Sequence, residues 1–473
     1  MKSTNYEVIQ ISTKCLSQFG YFIKSGSECV VIDPLRDFSE IEDLLKKTGC
    51  TLKYIILTHF HADFVAGHFD LQKKTNAQIL MGPLKSPLPK VTPNSQTRQM
   101  QDKEFVKLGE ITLTFWHTPG HTPESSSILL SDSKEVKMVF TGDTLFLGDV
   151  GRPDLAASGE KGLSTQDLAN MMFDSVQKLK KLPDSVVVFP GHGAGSACGK
   201  NISNANRCTI GVQRQNNYAM RIEDRETFVE TLSANIPPPP EYFFYNVRLN
   251  KTENKASSCD LLQMGNKKLS VSEFHSLASS GEFTVLDCRT GEEFENSHVP
   301  GSFFSPFFGQ FAIYAANIIA EPEKPILLVC SPGKGEDSIL RLSRTGIDGI
   351  SGYIDDFPQY IKEGFPVEFV TSISAEELFE EVSRNLTGME LIDVRGLGEF
   401  QNGHLSGSRL FSLDILKNNY YRLSEEKELM IYCGAGVRSV VAYSFLKGMG
   451  YKNMKNVIGG FNEIAKLGFK IVK

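Results

Sequence analysis

The chain has 473 residues, 41% of them hydrophobic and 22% charged, with a formal net charge of −6. That length exceeds what one hydrophobic core serves, so about three domains are expected. The acidic balance gives no basic field for DNA or RNA, and no apolar run approaches the length of a membrane span. Nine cysteines without regular spacing do not make a disulfide framework. The stretch Met1–Glu7 also lacks the apolar core of a signal peptide, so a reducing cytoplasm is the expected compartment.

Residues 7–34 read as a meander of short strands, among them Tyr21–Ile23 and Glu28–Asp33, with Cys29 in the core. Ser39–Lys47 reads as a helix with Ser39 as N-cap and Ile41, Leu44 and Leu45 on its apolar face. Tyr54–Leu57 is an apolar run that reads as a buried strand. Metal-binding side chains follow at once: His59, His61, Asp63 and, further on, His68. Two histidines two apart, just past a strand end, can turn their rings toward one point, which is what a metal requires. The bland alternative is a surface loop that happens to be rich in histidine.

Beyond this loop, strands and helices are expected to alternate up to Ser164, which can cap a helix carrying Leu168, Met172, Val176 and Leu179. Ile111–Phe115 and Lys137–Phe140 read as strands, as does the run from Val186. They end at His121, Asp143 and His192, each beside Gly or Pro. Four strand-to-loop junctions that all deliver metal-binding types form a specific pattern. Arg152 lies in the polar loop Gly148–Leu155 and can grip a substrate carboxylate in two-point fashion; otherwise it is a solvated loop arginine. Cys198 lies in a glycine-rich segment where backbone can approach a ligand closely. It either lines a pocket for the substrate thiol or is a small buried residue.

Helical sequence then runs to Asn235-Ile-Pro-Pro-Pro-Pro240, where four prolines stop any helix. Residues 251–264 read as a linker, which makes 1–250 the first domain. An internal repeat follows, over 265–368 and 369–473. Val285-Leu-Asp-Cys-Arg289 and its downstream Phe294 and His298 parallel Leu391-Ile-Asp-Val-Arg395, Phe400 and His404, and Cys330 parallels Cys433.

In the last copy the loop Cys433-Gly-Ala-Gly-Val-Arg438-Ser439 precedes a helix. Free N–H groups and the helix dipole there favour a thiolate or persulfide, and Arg438 adds a cation. Gly434, Ala435, Gly436, Val437 and Ser439 complete the cradle. The middle copy reads Cys330-Ser-Pro-Gly-Lys-Gly335-Glu336-Asp337, with Gly335 opposite Arg438, two acids after it, and a proline without an N–H. It is expected to be degenerate and mainly structural.

The set His59-x-His61-x-Asp63, Pro119-Gly-His121, Gly142-Asp143 and Gly191-His192 resembles the metallo-β-lactamase superfamily over roughly residues 7–250. The two repeats resemble rhodanese domains. These resemblances imply an α/β multidomain chain: a metallo-β-lactamase αββα sandwich followed by two rhodanese-like α/β domains. Two-metal members of that superfamily carry a histidine where this chain has Phe64. A single ion is therefore expected, held by His59, His121 and Asp143, with His61, Asp63 and His192 as supporting or fallback ligands. The runs His59–His68 and Pro119–Ser125, with a sulfur-carrier domain in the same chain, resemble persulfide dioxygenase–rhodanese fusions. The resemblance implies one Fe(II) per chain rather than zinc. It implies a low-molecular-weight thiol persulfide, O2 and sulfite as partners, thiosulfate as a product, and self-association. The competing expectation is a glyoxalase II-like thioester hydrolase fused to a sulfur-docking module.

Overall fold

The computed structural model describes residues 6–84, 97–156, 163–234, 236, 238–253, 256–319, 324–384 and 388–473. Met1–Asn5, Asn235 and Pro237 of the proline break, and residues 254–255 of the expected linker lie outside them. The chain divides into two compact units, Met1–Ile236 with Tyr242–Ser257, and Pro237–Glu241 with Ser258–Lys473.

The first unit holds two six-stranded sheets. One runs in chain order through β1 (Tyr6–Thr13), β2 (Gln18–Ser25), β3 (Glu28–Ile32), β4 (Thr51–Leu57), β5 (Gln78–Met81) and β6 (Thr97–Gln99). β1 to β3 are antiparallel, and β3 to β6 are parallel. The other sheet comprises β7 (Phe105–Leu108), β8 (Ile111–His117), β9 (Ser126–Asp132), β10 (Glu135–Gly142), β11 (Val187–Pro190) and β12 (Cys208–Thr209). Alternating residues of both sheets, such as Tyr21, Ile23 and Ile56 against Leu113, Ile128 and Phe140, meet in one apolar cluster between them. The outer face of the first sheet packs on α1 (Ser39–Thr48) and α2 (His68–Thr75), through Ile41, Phe69 and Leu71. The outer face of the second packs on α3 (Thr165–Leu179), through Ala169, Met172 and Val176. The result is an αββα sandwich.

Local signals explain most of these elements. Ser164 caps α3 in a reciprocal box with Asp167. Ser39 does not cap α1; Phe38 holds that position without a side-chain bond, and Ser39 is the first helical residue. Between α2 and Ser164 the described residues contain strands only, not the alternation of strands and helices expected from sequence. The period-two runs of β8 to β10 pair antiparallel with one another, so no crossover helix is required.

The second unit contains both repeats. In the first, strands Phe303–Phe304, Thr284–Asp287, Ile326–Val329 and Ile350–Ile354 form a parallel sheet in that order. In the second, Ser372–Ile373, Met454–Val457, Glu428–Tyr432, Met389–Asp393 and Arg409–Leu410 do the same. The repeat is exact down to side chains: Arg289 grips Asp287 at 2.6 Å and the Ser297 carbonyl at 2.7 Å, while Arg395 grips Asp393 at 2.6 Å and the Gly403 carbonyl at 2.8 Å. One apolar cluster runs through both copies, from Leu286, Phe304 and Phe311 to Ile392, Val441 and Phe445. The copies therefore share an interior, although each carries its own sheet. The expected linker 251–264 also changes. Residues up to Ser257 belong to the first unit, and Ser258–Gly265 is a helix packed on helix Gly335–Ser343 and strand Ile350–Ile354, with Leu261 buried.

Candidate functional site

Strand ends of both sheets in the first unit deliver the metal-binding side chains. One ligand atom each of His59, His121 and Asp143 lie within 4.8 Å of one another, and all three residues are buried. His59 Nε2 and His121 Nε2 stand 3.8 and 3.5 Å from Asp143 Oδ2. His59 Nε2 and Asp143 Oδ2 make no hydrogen bond. Buried polar atoms left unmatched and aimed at one point are costly unless a cation joins them. The far nitrogens fix the rings: His121 Nδ1 donates to the Arg152 carbonyl at 2.9 Å, and His59 Nδ1 meets Thr58 Oγ1 at 3.0 Å. Burial, reinforced by neighbouring His61, pushes the His59 ring well below its usual pKa and leaves the neutral form that ligates. The donor set fits a divalent metal, two histidines and a carboxylate.

His61, Asp63 and His192 surround this triad. His61 Nε2 lies 3.0 Å from Asp33 Oδ1, and its ring packs against Phe64 at 4.2 Å between centroids. His192 bridges two carboxylates, with Nδ1 2.9 Å from Asp143 Oδ1 and Nε2 2.7 Å from Asp63 Oδ2. Burial opposes charge on that ring, but Asp143 and Asp63 outweigh it and hold its pKa well above the usual value. An imidazolium thus stands between two acids. Glycine at 191 is required by this packing, because a Cβ there would collide with Asp143 Oδ1.

Asp63, His192 and Cys198 form a second group of donors within 4.8 Å of one another. Cys198 is buried, and burial, then the charges of Asp63 and Asp143, push its thiol well above the usual pKa. Arg152 departs from expectation. Its guanidinium is nearly buried and already forks onto Asp154, at 2.7 Å for each bond, so no two-point grip remains for a substrate. Its part here is the carbonyl that orients His121.

Sequence reading missed the residues that hold the loop. Asp33 accepts from Thr58 N at 2.9 Å and Thr58 Oγ1 at 2.8 Å, tying the β4 end to β3. Asn250, fully buried at the end of helix Tyr242–Asn250, donates to the His61 and Phe64 carbonyls at 2.8 Å each and accepts from Ala66 N at 2.7 Å. Replacing Asn250 with alanine strips three buried backbone groups of their partner and is expected to cost at least about 2 kcal/mol, read as a lower urea midpoint. An unchanged midpoint would count against this role.

A cavity of about 400 Å³ opens beside His121. Phe60, Leu155 and Phe244 supply apolar wall, and Arg248 and Lys251 stand at its edge. Neither cation carries a motif that sequence could flag.

In the second unit, Cys433 is buried at the foot of the loop that enters helix Val437–Gly448. Gly436 N donates to Cys433 Sγ at 3.1 Å, and Ser439 Oγ stands 3.6 Å from it. Gly436 has φ of 98°, a conformation that favours glycine. Arg438 is not an isolated cation: its two terminal nitrogens bind Glu399 at 2.6 and 2.8 Å. In the middle copy the residue that reaches the cysteine is Ser338, 3.7 Å from Cys330 Sγ. The loop is therefore two residues longer, and Asp337 rather than Gly335 takes the place of Arg438. A cation has become an anion, which fits a pocket that has lost its chemistry.

Known proteins match in the same two parts. The metallo-β-lactamase superfamily model matches residues 13–192, and the rhodanese-like domain model matches 270–365 and 374–467. A hydroxyacylglutathione hydrolase of Tolumonas auensis is 33% identical over 189 residues, 39% of this chain and 66% of that one, so about two thirds of that relative's length is spanned. A probable polyketide biosynthesis zinc-dependent hydrolase, BaeB of Bacillus velezensis, is 30% identical over 229 residues, 47% of this chain and 92% of that one. The crystal structure of a metallo-β-lactamase from Staphylococcus aureus subsp. aureus COL aligns with TM-score 0.64 and 29% identity over 74% of this chain and 99% of that one. With strand-end ligands, sandwich and relatives in agreement, the chain belongs to the metallo-β-lactamase superfamily and carries two rhodanese-like domains behind its metal-binding unit.

Proposed function

We propose that the first unit is an Fe(II)-dependent persulfide dioxygenase and that Cys433 carries sulfane sulfur. The observation behind this reading is the lone converging triad of His59, His121 and Asp143 in a chain that also holds a cysteine cradle. Bound to that triad, ferrous iron supplies a redox centre with positions left over for sulfur and dioxygen. The balanced reaction is RSSH + O2 + H2O → RSH + H2SO3. The chain's own residues do the rest. His121 and Asp143 are held rigid by the Arg152 carbonyl and by His192, Phe64 fills the place beside His61, and the apolar walls of the cavity exclude bulk water. At the other site the Cys433 thiolate takes a sulfane sulfur, and sulfite can remove it as thiosulfate.

A second reading, zinc-dependent thioester hydrolysis, is favoured by the Asp63, His192 and Cys198 group and by the hydrolase relatives. Metal analysis of protein purified without air, with O2-electrode assays on several persulfides, separates the two. About one iron per chain with O2 uptake is expected; two zinc ions and no uptake would establish the hydrolase.

The cavity edge makes the carrier thiol anionic in this proposal. Arg248→Ala is expected to raise the KM for a carboxylate-bearing persulfide about tenfold, the worth of one charge-assisted hydrogen bond, with kcat little changed. The same KM for glutathione persulfide in both proteins would remove Arg248 from binding.

A further inference from the structure

The Cys433 pocket holds less positive charge than its sequence suggests. Arg438 gives its fork to Glu399, and burial of Glu399 does not prevent that pairing from holding its carboxyl below the usual range. The Gly436 N–H is already directed at sulfur. An incoming oxyanion of sulfur, such as thiosulfate or sulfite, must find donors elsewhere.

Helix Phe311–Ile318 of the degenerate copy packs on helices Leu413–Asn419 and Val437–Gly448 of the last copy. One turn of that helix is anchored where Asn317 Nδ2 donates to Asp414 Oδ1 at 3.0 Å. Tyr314, half-buried on the same helix, packs against the apolar cluster that contains Cys433, Val440 and Val441. Among the described residues its hydroxyl has no hydrogen-bond partner, and it is not sealed from solvent. Burial raises its pKa, Arg438 opposes this, and Cys433, Asp414 and Glu399 add to the rise, so the group stays a neutral O–H donor that senses the whole catalytic loop.

We propose that Tyr314, lent by the degenerate copy, binds the oxyanion end of the sulfur donor or acceptor at the mouth of the Cys433 pocket. This rests on the sulfur-carrier reading of Cys433. In the step it serves, the Cys433 thiolate attacks the outer sulfur of thiosulfate. A new S–S bond forms at Sγ, the old one breaks, and its electron pair leaves on sulfite: Cys–S⁻ + S2O3²⁻ → Cys–S–S⁻ + SO3²⁻. Tyr314 donates to the sulfonate oxygens on either side of that exchange. The degenerate copy thereby contributes a substrate contact, not only a wall.

Tyr314→Phe removes one oxygen and keeps the ring. The test uses the full chain, with thiosulfate or methyl persulfide as donor, cyanide as acceptor, and Cys433 alkylation by iodoacetamide as a check on the loop. The expected result is a KM for thiosulfate raised about tenfold. Transfer from methyl persulfide, which has no oxyanion, and the alkylation rate should stay within about twofold. An unchanged thiosulfate KM overturns the proposal, and so does an equal loss with both donors, which is the signature of damaged packing. If the unsubstituted chain transfers sulfur from neither donor, the reading of Cys433 fails and this proposal falls with it.

Discussion

Cys433→Ser is expected to lower sulfur transfer from thiosulfate to cyanide by a thousandfold or more, on the order seen when a covalent nucleophile is lost. A serine oxygen at that position is not ionised near neutral pH and forms no stable adduct with sulfane sulfur. The cradle itself should survive, because Gly436 N and Ser439 Oγ can meet an oxygen as they meet Sγ. O2 uptake on a small persulfide is expected to stay within about twofold, since the metal triad draws every ligand from the other unit. Mass spectrometry of the chain after a single exposure to thiosulfate gives an independent reading: one added sulfur on the native chain and none on the variant. Simultaneous loss of transfer and O2 uptake would mean that the two centres act as one.

Asp143→Ala should empty the metal site. Asp143 supplies the carboxylate of the triad through Oδ2 and steadies His192 through Oδ1. Burial works against its charge, yet His192 and His59 hold its carboxyl well below the usual range, so it is an anion wherever the fold persists. Its removal leaves two neutral histidines, a weak set for a divalent ion. Metal content is expected to fall at least about tenfold and O2 uptake to background. Asp143→Asn keeps the shape and removes the charge, so it separates lost ligation from lost folding. Iron retained at the native level in both variants would refute the assignment of Asp143 as a ligand.

Much of this site is legible in the chain because its chemistry is local. His59, His121, Asp143 and His192 each follow a short apolar strand and touch Gly or Pro, so type, position and turn coincide. The repeat is legible for the same reason, since Arg289 with Asp287 and Arg395 with Asp393 are contacts two residues apart. What escapes is set by distance along the chain. Asn250 anchors a loop 186 residues away at Phe64, and nothing near it distinguishes a buried pin from a linker residue. Glu399 reaches Arg438 across 39 residues, which turns an apparent cation into a neutral pair. Arg152 was misjudged for a different reason: Asp154 lies two residues on, and its claim on the guanidinium was readable but not weighed. Ungapped comparison of the two cysteine loops placed Gly335 opposite Arg438. Only the serines that reach each sulfur show the two-residue insertion.

The interior common to both repeats bears on how such a chain can change over generations. An idle pocket ordinarily drifts toward loss, because selection has nothing there to protect. Here Phe303 of the idle repeat stacks on Phe445 of the working one, and the Phe304 amide donates to Ser444 Oγ at 2.9 Å. Excising the first repeat would bare an oily flank on the second and expose it to aggregation. Drift is thus confined to the tip at residues 331–337, while the scaffold behind it is held in place by its neighbour. A defunct catalyst persists as masonry.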